Sequence, residues 1–297
     1  MEVLDDYFKL YNRGRSRQET LLRVLTKGFG GEQKLEDLLV IAKDDARTSE
    51  LARTLQTALT KEWLTRNIRP EIVLKKLGLN RGATDALLDQ NRYTLTAYIS
   101  LFNEKNPASK KSLLETLLGH YGDVAVAEAL TIAESKRATK NLATQMQIQQ
   151  FQQWQKSGKS AGAIFKQLDI DVDEFLLVMS SKLEALEDYN TTLKVGNLRY
   201  KQDTFTVVRK GFGDDVELAL VVVRALKTLE LENANIPVST ATVYERLLLK
   251  RWFNKRSSRK TFIENSLVMA RILLVVWKKQ LYNGTRSTIA TRWPLRL

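Results

Sequence analysis

The sequence predicts an all-α fold built from tandem helical-bundle repeats of about 91 residues, stacked into an elongated rod. Three observations carry that expectation. One motif recurs three times at nearly constant spacing, the apolar residues follow a helical period, and only four prolines interrupt 297 residues.

The anchor is Gly28-Phe29-Gly30, matched by His120-Tyr121-Gly122 and again by Gly211-Phe212-Gly213. Downstream, a single shift of about 91 carries Ile41-Ala42 onto Ile132-Ala133, Thr48 onto Thr139 and Trp63 onto Trp154. It also carries Val73-Leu74 onto Ile164-Phe165, Leu77 onto Leu168, Leu79 onto Ile170 and Tyr98 onto Tyr189. The third copy keeps Gly213, Leu218, Val222 and Ala225. It then takes an insertion of about six residues between Glu230 and Pro237. Beyond it, Ala241, Tyr244 and Trp252 fall where Ala52, Leu55 and Trp63 would, and after Trp252 the match ends.

The organisation expected from these offsets has five parts. Residues 1–27 are the tail of a preceding unit and a linking helix, since Leu4-Asp5-Asp6-Tyr7 resembles Leu186-Glu187-Asp188-Tyr189. Residues 28–118 and 119–210 are two full units, 211–282 a divergent or incomplete third, and 283–297 a poorly ordered tail.

Within a unit, Leu35, Leu38, Leu39 and Ala42 take helical spacing, as do Leu51, Leu55, Ala58 and Leu59. Thr48 and Thr139 stand at N-cap positions. Pro70 suits the first turn of a helix that Gly78 stops. About five short helices per unit result. The recurring glycines suit positive-φ connections between helices. Trp63, Tyr98, Trp154, Tyr189 and Trp252 are the expected fold-defining core, each burying on the order of 150–250 Å².

Composition narrows the function. There are no cysteines, hence neither disulfides nor thiolate metal sites. The most apolar stretch, Leu267–Trp277, is broken by Arg271 and falls short of the ~18 residues a membrane span needs. No basic segment followed by an apolar one opens the chain, as a signal peptide would. The single histidine, His120, rules out a two-histidine metal site and reads as a turn or helix-end residue. With no P-loop, dinucleotide fingerprint or EF-hand loop, no enzyme, cofactor or metal is expected.

Of the net charge of +13, most belongs to the last third, where residues 205–297 hold 17 Lys/Arg against 7 Asp/Glu. Its densest stretch contains Arg246, Lys250, Arg251, Lys255, Arg256, Arg259 and Lys260. Three readings compete: a solvated helix end and loop, a nuclear-import or acidic-partner patch, and a nucleic-acid contact. Near-neutral charge elsewhere argues against nucleic acid along the whole chain. Residues from Phe262 to Trp277 have the spacing of an amphipathic helix that would cap the incomplete unit.

The order Gly-Phe-Gly, Leu/Ala-rich helix pair, Trp, Val/Ile-Leu/Phe-x-x-Leu-x-Leu/Ile, Tyr resembles the tandem LWY modules of oomycete (Phytophthora-type) RXLR effectors. The first set runs from Gly28-Phe29-Gly30 through Trp63, Pro70, Val73, Leu77 and Leu79 to Tyr98. The second runs from Tyr121-Gly122 through Trp154, Ile164-Phe165, Leu168 and Ile170 to Tyr189, with Ser160-Ala161 in place of Pro70. No Arg-x-Leu-Arg motif lies near residue 1. The resemblance implies helical modules on a Trp–Tyr core, secretion by a plant pathogen, and entry into host cells, in the cytoplasm or nucleus. It further implies suppression of immunity by binding host proteins; no membrane partner is expected from the apolar pattern. Some members recruit a host type-2A protein phosphatase (PP2A) through its scaffold subunit. A monomer is expected.

Overall fold

A computed structural model describes residues 7, 10–14, 19–177, 180–231 and 239–254. Among the described residues the regular structure is helical throughout. The tail 283–297, the 262–277 segment and the stretch Leu4–Asp6 lie outside them. The chain divides into two compact units, Met1–Gln150 and Phe151–Leu297.

The first unit contains α1 (Leu21–Gly28), α2 (Glu32–Ala42), α3 (Ser49–Thr65), α4 (Pro70–Lys76), α5 (Ala83–Leu88), α6 (Asn91–Lys105) and α7 (Leu113–Glu134). Helix α8 (Lys140–Lys156) runs through the boundary. In the second unit follow α9 (Ala161–Gln167), α10 (Ser181–Gly196), α11 (Thr204–Phe212), α12 (Asp215–Leu231) and α13 (Thr240–Asn254). Two short 3₁₀ turns, Pro107–Ser109 and Asp173–Phe175, join them. Helices α2–α6 lie wholly between Gly28 and residue 118, and α7 begins within that range at Leu113.

Local chemistry sets the helix ends. Pro70 opens α4 at its first turn, where a missing N–H costs nothing, and Gly78 follows its end at φ +70°. In the second repeat Ser160 does the opening instead, accepting from the Ala163 N–H at 3.2 Å. The glycine at the third position of each motif takes positive φ: 82° at Gly30, 81° at Gly122, 123° at Gly213. At Gly122 this breaks α7 into two helical segments. Gly211 is different. Its conformation is ordinary, but a Cβ there would meet the Phe165 ring at 2.3 Å, so α11 can approach α9 only without a side chain.

Thr48 and Thr139 sit where N-caps belong, yet neither caps in the usual sense. Each hydroxyl donates backward at 2.7 Å, to the Ala42 carbonyl and to the Ala133 carbonyl. Their shared role is to tie the end of one helix to the start of the next. One periodic apolar residue also behaves differently from its pattern. Leu35 and Leu39 are buried, while Leu38 is exposed, because α2 turns only a narrow face toward α3.

The core of the first unit gathers Leu35, Leu59, Trp63, Val73, Leu74, Leu95 and Tyr98, all essentially solvent-free. Trp63 and Tyr98 meet edge to face with ring centroids 6.1 Å apart. In the second unit Trp154 and Tyr189 repeat the arrangement at 5.2 Å and 87°. The phenols repeat as well: Tyr98 donates to the Ile68 carbonyl, and Tyr189 donates to the Lys159 carbonyl at 2.6 Å. Each thereby pins the loop that follows its tryptophan helix. Burial pushes the Tyr98 hydroxyl up to about 12, so it stays a donor at physiological pH.

Candidate protein-binding surface

With the rings turned inward, chemistry is left to the exterior, and each sequence-nominated residue has a definite place there or in the core. Trp63, Tyr98, Trp154 and Tyr189 lie in the interiors just described, and Trp252 is buried on α13. His120, half-exposed near the Gly122 break, stacks edge-on against Tyr121 at 4.6 Å. Burial, with Lys75 nearby, pushes its imidazole below the ordinary range, which favours the neutral form. Among the described residues no group of three His, Cys, Asp or Glu side chains is placed to hold a metal ion. No helix there is long and apolar enough to cross a membrane.

The basic stretch divides. Arg251 donates to both Asp215 oxygens from Nε, at 3.0 and 3.3 Å, across from α13 to α12. Asp215 also faces Arg209 of α11 at 3.4 Å and is itself buried. Arg251 is therefore part of the internal bracing of the third repeat, a role that spacing alone did not reveal. Arg246 and Lys250 are exposed one helical turn apart on α13. Lys255, Arg256, Arg259 and Lys260 lie outside the described residues.

A second recurrence escaped the identity-based search. Thr20, Ser112 and Asp203 each cap the helix that leads into a glycine motif, accepting from Arg23 N, Glu115 N and Thr206 N. At Ser112 the Glu115 carboxylate returns a bond to the cap's own N–H at 2.7 Å, a complete capping box. The three residues share only a side-chain oxygen. Repeat-by-repeat comparison of acceptors, not of identities, would have found them.

After the second and third caps the helix carries the motif aromatic against preceding structure, whereas Phe29 after the first is exposed. Tyr121 donates to the Leu79 carbonyl, and Phe212 packs edge to face on Phe165 and Phe175 at 5.1 and 5.7 Å. The chain is thus a helical repeat protein of the LWY type, its modules defined by a buried Trp–Tyr contact. No protein-family model matches it. Two RxLR effector proteins of Phytophthora infestans (strain T30-4) are 44% and 41% identical to it. Those matches cover 86% and 93% of this chain but 50% and 38% of the relatives. The RxLR effector protein PSR2 of Phytophthora sojae is 26% identical over 75% of this chain and 33% of its own length. The crystal structure of PcRxLR12 shares the fold, with a TM-score of 0.61 over 95% of this chain and 68% of that one, at 20% identity. The chain is a homologue of the Phytophthora RxLR effectors, and it spans half or less of the length of these two curated relatives.

Proposed function

We propose that this chain is the working part of a secreted virulence effector, acting inside plant cells as a helical adaptor that binds host proteins and suppresses immunity. The supporting observation is the division of labour within the repeats. Equivalent aromatic residues are buried in each, whereas outward positions differ from copy to copy, as at Thr57 and Ile148. Specific recognition then belongs to those outward side chains, which the fold leaves free to vary. Homology to RxLR effectors supports export from the pathogen and entry into host cells, and the proposed place of action is the host cytoplasm or nucleus.

The particular partner proposed is the host type-2A protein phosphatase core, engaged through its scaffold subunit by a monomeric effector chain. Affinity purification of the chain from plant cells, followed by mass spectrometry, is expected to recover that scaffold subunit. Its absence alongside other specific host proteins discards the phosphatase and keeps the adaptor. The alternative, a nuclear or nucleic-acid-binding module working through residues 246–260, is disfavoured by the burial of Trp252 and the engagement of Arg251. It predicts DNA or RNA binding that weakens steeply with salt and is lost when Arg246 and Lys250 are neutralised.

A further inference from the structure

We propose that the segment 195–202, the end of α10 and the loop leading to α11, is a docking element for an acidic protein surface that contains an apolar recess. The proposal rests on the adaptor reading and names the surface it would use.

Leu198 is 88% exposed and Val195 79%, the two most exposed large hydrophobic residues among those described. A lone exposed aliphatic residue is ordinary. These two stand out because the segment that holds them is tied down. Asn197 accepts from the Arg199 N–H through Oδ1 at 3.0 Å, and its carbonyl accepts from the Tyr200 N–H at 2.9 Å. The Tyr200 hydroxyl donates to Asn190 Oδ1 at 2.7 Å. Fully buried Asn190 in turn donates to the Gln202 carbonyl at 3.0 Å and to Thr204 Oγ1 at 3.3 Å. A fold that spends a buried asparagine on fixing an irregular segment presents it in one shape, which lowers the ordering cost of binding.

The charges nearest the tip are cationic, and acidic groups begin at its edges, where Asp203 follows Gln202 and interacts with Lys194. Lys194, Arg199 and Lys201 flank the tip, and no Asp or Glu occurs between Tyr189 and Gln202. Gln202 also lines an open cleft of about 380 Å³ between α9 and α11, together with Gly162, Ala163, Lys166, Lys210 and Gly211, and Lys210 Nζ donates to Gln202 Oε1 at 3.4 Å. An aliphatic tip beside a cationic cleft is complementary to an apolar recess with carboxylates around it.

The first repeat supplies the control. Its corresponding segment reads Asn106-Pro107-Ala108-Ser109-Lys110-Lys111, with no large apolar residue, and folds as a 3₁₀ turn. The repeat architecture therefore does not require Leu198 or Val195 where they stand.

The test uses the full chain and, as probe, the host protein that the wild type retains from plant cells, purified separately. Leu198→Asp combined with Arg199→Glu is expected to weaken binding about tenfold or more without moving the melting temperature. Lys61→Glu, an exposed change on α3, is expected to leave affinity intact. A photo-crosslinking side chain at position 198 is expected to label a probe peptide of net negative charge. Unweakened binding by the double variant, or crosslinks only to neutral or basic peptides, overturns the surface while the adaptor reading stands. Retention of no host protein by the wild type overturns both.

Discussion

In the first repeat the tryptophan is held by charge; in the second it is held by rings. Trp63 donates its indole N–H to Glu32 at 2.9 Å, and the same carboxylate receives Lys76 at 2.6 Å and Arg66 at 3.2 Å. Burial pushes Glu32 up, but hydrogen bonds from Lys76, Trp63 and Arg66 outweigh it and hold the carboxyl below its ordinary range. A second carboxylate, Glu36, is fully buried nearby, accepting from Thr94 at 2.8 Å and from Gln56. In the second repeat the counterparts of Glu36 and Thr94 are Ala127 and Ala185, both buried, and Phe151 replaces Thr60. Phe151 lies 5.5 Å from both Trp154 and Tyr189, while the Trp154 N–H has no hydrogen-bond partner. What the repeat keeps is the Trp–Tyr edge contact and the phenol-to-loop bond. The means of fixing the tryptophan are interchangeable.

That comparison can be broken most directly at the tryptophans themselves. Trp63→Ala and Trp154→Ala are each expected to cost about 3–5 kcal/mol in denaturant unfolding, by removing a large buried ring. A melting temperature unchanged in either variant would remove that residue from the core. Next in size is Phe151→Thr, which installs the first repeat's residue without its carboxylates. Loss of one ring from the aromatic cluster should cost about 2–4 kcal/mol, and a neutral result would mean the cluster contributes little.

A smaller effect separates the two fixing mechanisms. Trp63→Phe should cost about 0.5–1.5 kcal/mol more than Trp154→Phe, since only the first loses a hydrogen bond to a carboxylate. Equal losses would show that the Glu32 bond adds nothing net. The finest test is pH. Burial raises the Glu36 carboxyl above its ordinary range, with the Thr94 and Gln56 hydrogen bonds opposing. The native state then holds that proton more tightly than the unfolded chain. Stability contributed by this group is present below the ordinary carboxylate range and declines as pH climbs through the raised value. Glu36→Gln should gain on the wild type as pH rises above about pH 4, the ordinary carboxylate range. Parallel stability curves for the two proteins would refute a raised Glu36.

Much of the fold was legible from one dimension because its signals are one-dimensional. Helical spacing, a constant offset and recurring glycines are properties of order along the chain. Gly30, Gly122 and Gly213 take the positive φ that their recurrence suggested. The surface was far less legible. Arg251 looked like one cation in a basic run, and only the folding of α13 onto α12 brings it to Asp215, 36 positions away. Leu38 fitted an apolar stripe that the packing of α2 leaves outside. The rigid display of Leu198 depends on Asn190 and Gln202, which no motif links.

By itself, then, the order of residues established a helical repeat with paired indole and phenol rings, since periodic burial leaves a periodic trace. Tertiary structure alone decided which carboxylate meets which cation, which threonine hydroxyl turns backward, and which aliphatic side chains stay outside. Those outcomes rest on distances between segments remote in sequence, and on the competition of several groups for one partner, neither of which spacing records.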